Sequence, residues 1–213
     1  QPGGGTQLVT LAGFTQITGW PDKMPSGPYG AYTDTPAPRL AAAAIIAALD
    51  YRRRTGKGQY LDLSQFETGI YFQAPLVLDY IVNKRIATRV GNRHPYATPH
   101  GAYPCLGNDR WCVIAVFTNA EWESFCQVIG NPQWARDPKF ATLLGRKRNE
   151  DELDQLVATW TINFTPEEVM MRMQQAGVAA AVVATGEDIY HDPQFEHRHH
   201  FWTLNHGEIG AFP

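Results

Sequence analysis

The sequence predicts a fold in which helices and strands interleave, of the α/β or α+β class, on three observations. Two long helical patterns carry clear start or stop signals, at residues 36–55 and 166–177. Short apolar or alternating runs at 60–64, 111–117 and 178–185 fall between helical segments and read as strands. Strands and helices interleave throughout, which argues against a bundle or a sandwich, and no internal repeat is visible.

The elements follow in chain order. "TQLVTLAGFTQITG" steps its apolar side chains as Leu8, Leu11, Phe14 and Ile17, a spacing that fits a short helix. "WPDKMPSGPYG" is turn material rich in proline and glycine. From Pro36 a helix of Ala, Leu and Ile runs to Arg52–Arg54, cations that suit its carbonyl pole, and Gly56 stops it. "YLDLS" alternates like a strand, and 65–80 reads as a helix that Pro75 kinks or divides. "GNRHPYATPHGAYPC" is a loop, followed by a strand at 111–117 and a helix over 119–130. A charged helix is expected over 147–160, capped by Asn149 or a neighbour. Thr165-Pro166-Glu167-Glu168 supplies cap, proline and first-turn acids to the helix that ends at Gly177. Residues 178–185 read as a buried strand, and "DPQFEHRHHFWTLNHGEIG" as a short helix or turn leading into a hairpin.

Composition bounds the function. The 213 residues are 44% hydrophobic and 12% aromatic, enough for one sizeable core or two modest ones. Lysine and arginine number 18 against 21 acids, so the broad basic field of a nucleic-acid binder is missing and no such partner is expected. Leu40–Leu49 is the longest apolar run and is too short to span a bilayer; no membrane association is expected. Cys105, Cys112 and Cys126 match no zinc or thioredoxin spacing and read as reduced thiols of a cytoplasmic protein. The opening "QPGGG", without an initiator methionine, reads as the interior of something longer.

Asp34 has two readings. Standing just before the helix that opens at Pro36, it is by default a cap, worth about 1 kcal/mol. Thr35 can cap as well, which leaves Asp34 one position outside, at the positive pole of the helix, where a carboxylate anion is favoured and can act as a nucleophile. His94, His100, His197, His199 and His200 fit no metal template, and no metal is expected. "TGKGQ" at 55–59 follows a helix and lacks the phosphate-loop pattern, so it is a helix-to-strand turn. The alanine-rich helix reads as a tightly packed central helix, with a helix interface as the other reading. Gly91 to Gly101 bounds a loop that is either an interdomain linker or the cover of a site, offering Tyr96 and His100 for contacts.

The ordered series "LAGFTQITGWPD", Asp34, "AAAAIIAALDYRRRTGKGQYLDLSQFETG", "GNRHPYATPHGAYPC" and "FWTLNHGEIG" resembles the family III coenzyme A transferases, which include formyl-CoA and carnitine CoA-transferases and α-methylacyl-CoA racemase. The resemblance covers nearly the whole chain, and the helix ending in TGKGQ with the following DLS is its most specific part. It implies a fold that is part of a Rossmann-like large domain plus a small α/β domain, in interlocked dimers of subunits about twice this length. Residues 1–85 would belong to the large CoA-binding domain, 86–195 would form the small domain, and 196–213 would return toward the large one.

The resemblance also implies a role for Asp34, one helix upstream of Thr55, where the family keeps its catalytic aspartate; Asp22 and Asp50 lie elsewhere. The implied reaction moves CoA from an acyl-CoA to a carboxylic acid through an aspartyl anhydride and an aspartyl-CoA thioester. CoA esters would be substrates, with no permanently bound cofactor. Backbone amides at 35–38 are the expected source of oxyanion donors. The glycine run of some relatives is replaced by His94-Pro95-Tyr96-Ala97, which puts a lid role in question and leaves His94, Tyr96 and His100 as substrate-loop candidates. Racemase relatives pair the aspartate with a histidine about thirty residues upstream, a position that falls in "QPGGG". The racemase reading and a non-catalytic fragment or subunit are the alternatives to transfer.

Overall fold

The computed structural model describes residues 3–212. The chain divides into two compact units, Gln1–Gly91 and Asn92–Pro213.

The first unit is helical. Helix α1 (Gly5–Leu11) passes to α2 (Phe14–Ile17) through Gly13, whose φ of 91° favours glycine, so the expected helix is broken in two. Val9, Ala12 and Phe14 form its small core, with Tyr32 and Phe66 packed on them. A 3₁₀ turn at Tyr32–Asp34 leads into α3 (Pro36–Thr55). Gly56, at φ 73°, ends α3 by donating its N–H to the Arg52 carbonyl, as the sequence indicates. Ser64 caps α4 (Gln65–Phe72), and the chain breaks at Gln73 before α5 (Ala74–Asn83), because Pro75 has no N–H to continue the ladder. Gly69 lets α4 approach closely: a Cβ there would sit 3.0 Å from the Ala12 methyl and 3.2 Å from Thr33 Cγ2.

Two expectations fail in this unit. Residues 60–64 form no strand, since among the described residues of the unit no segment supplies a hydrogen-bonding ladder beside them. Helix α3 is not packed centrally either: only Pro36 and Ala37 are buried, while Ile45, Ile46 and Leu49 are exposed.

The second unit is built on an antiparallel sheet, β1 (His100–Pro104), β2 (Trp111–Ala115) and β3 (Ala179–Val182), in that order. The register pairs Tyr103 with Cys112 and Ile114 with both Gly101 and Ala180. Residues 100–104, expected as loop, form a strand because β2 pairs with them residue for residue. The expected buried strand at 178–185 is instead an edge strand, partly exposed along Ala179–Val182, with Val178 buried just before it.

On β2, Cys112 and Ile114 are buried while Trp111 and Val113 are exposed, so one face of the sheet carries the core. Helices α6 (Asn119–Val128), α7 (Leu143–Arg148), α8 (Glu150–Thr161) and α9 (Pro166–Gln175) surround that core. Trp122, Phe125, Phe140, Leu153, Val157, Val169 and Met173 fill it. Thr118 with Glu121 and Thr165 with Glu168 form reciprocal capping boxes. The charged helix expected over 147–160 is two helices meeting at Asn149, whose side-chain amide donates to the Gly145 carbonyl and makes no cap. Helices α10 (Gly186–Tyr190) and α11 (Pro193–His197) precede a hairpin of β4 (Leu204–His206) and β5 (Gly210–Phe212). Among the described residues no helix is long and apolar enough to cross a membrane.

Candidate active site

Asp34 closes the 3₁₀ turn, its N–H donating to the Ala31 carbonyl at 2.8 Å and that of Thr35 to the Tyr32 carbonyl at 2.9 Å. Neither side chain caps α3, which corrects the default reading. Caps serve the amides of the second and third helical residues from an extended backbone. Here the third residue is Pro38, which has no N–H, and Thr35 is already helical at φ −85° and ψ −53°. Of the two amides that a cap would serve, only that of Ala37 exists, and the Asp34 carboxylate does not take it.

It is held by another helix instead. Gln65, first residue of α4, donates one N–H of Nε2 to Thr33 Oγ1 at 3.0 Å and the other to Asp34 Oδ1. Nε2 must be the atom facing the carboxylate, because an ionised carboxylate only accepts. Thr33 is fully buried and anchors the amide; Asp34 is exposed, and its Oδ2 has no hydrogen-bond partner among the described residues. A cleft of about 330 Å³ opens beside it, lined by Asp34, Ala37, Pro38, Ala41, Leu63 and Gln65. Its remaining walls are aliphatic, so a carbonyl carbon brought to Oδ2 meets an anion in largely apolar surroundings.

The expected supply of oxyanion donors at 35–38 shrinks to one. Pro36 and Pro38 have no N–H and the Thr35 amide is used within the turn, which leaves the Ala37 amide. Sequence reading missed Gln65 and Thr33. The Ser64 cap signal locates the start of α4, but nothing local says that its first side chain reaches back to Asp34.

His94, Tyr96 and His100 lie in the other unit, in a loop and the start of β1. The His94 and His100 rings are 5.2 Å apart, and Phe117 lies 5.4 Å from the first and 5.9 Å from the second. Tyr96 sits 5.9 Å from His94 and is largely exposed. His100 Nδ1 lies 2.5 Å from the Asn92 carbonyl, so it carries the proton, while His94 Nδ1 accepts the Tyr96 N–H at 3.2 Å.

This loop is pinned from below. Lys147 Nζ donates to the His94 carbonyl at 2.9 Å, the Thr98 N–H to the Val116 carbonyl at 3.0 Å, and Arg93 pairs with Asp151. The fully buried Arg146 donates to the carbonyls of Thr98 at 3.3 Å and Phe140 at 3.1 Å and to Asn119 Oδ1 at 3.2 Å, over the Trp122 ring at 4.7 Å. Desolvation draws its pKa below the usual arginine value.

Other nucleophiles are poorly placed. Cys105, Cys112 and Cys126 are free and buried, and burial raises the pKa of all three, Cys126 to about 11, so they stay protonated thiols. Among the described residues no group of three or more His, Cys, Asp or Glu could hold a metal, and His197, His199 and His200 are exposed.

The model of the family described as CoA-transferase family III matches residues 1–213. Over 200 residues the chain is 30% identical to the succinyl-CoA–D-citramalate CoA-transferase of Chloroflexus aurantiacus, covering 94% of this chain and 50% of that protein. Over 188 residues it is 30% identical to the succinyl-CoA:mesaconate CoA-transferase of Haloarcula hispanica, covering 88% and 46%. A CAIB/BAIF family protein from Brucella suis has a crystal structure that superposes with a TM-score of 0.84, over the whole of this chain and 58% of that one, at 24% identity. That likeness speaks to the fold. The chain spans about half the length of the curated relatives it matches.

Proposed function

Because the chain belongs to CoA-transferase family III, we propose that it is the part of a longer subunit that carries the nucleophile, Asp34, for moving CoA from an acyl-CoA thioester to a carboxylic acid. The observation that supports this best is the state of the carboxylate: Oδ1 is held by Gln65, and Oδ2, beside an apolar cleft, has no partner among the described residues.

Asp34 Oδ2 attacks the acyl carbon, the C–S bond breaks, and CoA leaves as thiolate from a mixed anhydride. The thiolate then attacks Asp34 Cγ, the donor acid departs, and an aspartyl-CoA thioester remains. The acceptor carboxylate repeats the two steps in reverse. The aliphatic walls beside Asp34 would help to exclude water from both activated species once substrate and the rest of the subunit cover the cleft.

The relatives named for succinyl-CoA make it the first donor to try, with a small dicarboxylic acid as acceptor. His94, Tyr96 and His100 are the substrate-loop residues of this proposal. The interlocked homodimer, the cytoplasmic location, and the large CoA-binding domain over 1–85, small domain over 86–195 and return segment over 196–213 belong to it as well. The remainder of a family-length subunit is the partner proposed for the exposed apolar face of α3, since this chain is about half of such a subunit.

The complete subunit incubated with succinyl-CoA is expected to yield a CoA adduct on the peptide containing Asp34, read by mass spectrometry. Asp34→Ala is expected to abolish label exchange between acid and CoA ester; exchange that persists in this variant overturns the proposal.

A further inference from the structure

Gln65 touches the one carboxylate oxygen that stays on the protein throughout such a reaction. In the anhydride, Asp34 Oδ2 has become the bridging oxygen and Oδ1 is the carbonyl oxygen. When thiolate attacks Cγ, the C=O electron pair moves onto Oδ1, the Cγ–Oδ2 bond then breaks, and Oδ2 leaves with the donor acid. When the acceptor carboxylate attacks the aspartyl thioester, the pair moves onto Oδ1 again and the Cγ–S bond breaks. Both inner steps therefore develop their negative charge on Oδ1, whereas both outer steps develop it on a substrate oxygen.

We propose that Gln65 is the oxyanion donor for the two inner steps, those at Asp34 Cγ, and that the outer steps at the substrate carbonyl draw on other donors. The assignment rests on Asp34 as the nucleophile. The Gln65 amide is already in place in the resting chain, fixed by Thr33 Oγ1 at 3.0 Å through its second N–H, so no reorganisation is needed as charge grows. Thr33 is itself fully buried, and α4, which carries Gln65, is anchored by the Ser64 cap and by the close approach at Gly69. The same hydrogen bond leaves Oδ2 as the attacking oxygen in the first step. Residues 35–38 can offer only the Ala37 amide, which makes a side-chain donor from another helix the available alternative.

The test separates inner from outer steps in the complete subunit. With succinyl-CoA and hydroxylamine, succinyl hydroxamate above the Asp34→Ala background reports the anhydride; the CoA adduct on the Asp34 peptide reports the thioester. Gln65→Leu is expected to keep hydroxamate formation within a few-fold of the parent, while adduct formation and overall transfer fall by about 10²-fold, the scale of one lost oxyanion donor. Equal loss of hydroxamate and adduct, or loss of neither, overturns the assignment. Gln65→Glu guards against misfolding of the leucine variant: its side chain donates only when protonated, so transfer should recover as pH falls, and a pH profile parallel to the parent's also overturns it. Absence of any adduct in the parent, with transfer intact in Asp34→Ala, would instead sink the nucleophile reading itself.

Discussion

Ile114, on β2 of the unit Asn92–Pro213, is 1% exposed, whereas Ile46, on α3 of the unit Gln1–Gly91, is 66% exposed. Both lie in strongly apolar stretches, so hydrophobicity alone does not decide burial. The second unit closes its core within itself, with α6, α8, α9 and one sheet face converging on Phe125, Leu153 and Met173. In the first, Val9, Ala12 and Phe14 gather a small core, while α3 and α5 leave Ile45, Leu49, Leu78, Ile81 and Val82 in the open. An isoleucine moved from water to a core contributes roughly 1.5–3 kcal/mol. A face with several of them unburied forgoes much of the free energy that holds a domain together. The difference teaches that the unit carrying Asp34 has its secondary structure specified locally but its packing only in part.

The contrast can be broken by experiment, and the largest effects fall in the second unit. In this 213-residue chain by itself, Phe125→Ala should cost about 4 kcal/mol, a cavity in a closed core, whereas the matched Ile46→Ala should cost no more than about 0.5 kcal/mol, both read from chemical denaturation. Equal costs would end the distinction. Arg146→Leu should cost about 3 kcal/mol, because the carbonyls of Thr98 and Phe140 and the Asn119 side chain lose their donor in a buried setting. A neutral result would mean that the loop carrying His94 and Tyr96 is held without this guanidinium.

The smallest effect is electrostatic. Arg110 pairs with Asp188 at 2.6 Å and, with the Thr185 backbone and hydroxyl, lowers its pKa to about 2. Between that value and the ordinary aspartate pKa of about 3.9 the unfolded chain binds more protons. The pair's contribution is therefore complete above this window and fades as pH falls through it. Arg110→Gln should flatten the acid limb of the stability curve; an unchanged limb would show the pair to be idle.

Much of this was legible because the signals were local. The Gly56 stop, the Thr165 cap and the Pro75 break each need only neighbours within a turn or so. Residues 60–64 were misread because alternation declares a willingness to pair, while a strand exists only when a ladder is present. At the site, Asp34 was singled out by resemblance, and residues alone favoured a cap. Pro38 is the sign against a cap: a proline in the third helical position removes one of the two amides that a cap would hold. Gln65 could not be found this way, since its bond to Asp34 joins the 3₁₀ turn to α4 across the whole of α3 and residues 56–64.

Two missing hydrogens at the head of α3 have a consequence beyond helix geometry. A carboxylate beside a helix start normally becomes part of the scaffold, its lone pairs engaged for the lifetime of the fold. Pro36 and Pro38 remove two of the amide rivals for those lone pairs. They act as an insulating sleeve around a live contact: the charge that would have gone into architecture is kept available as a reagent.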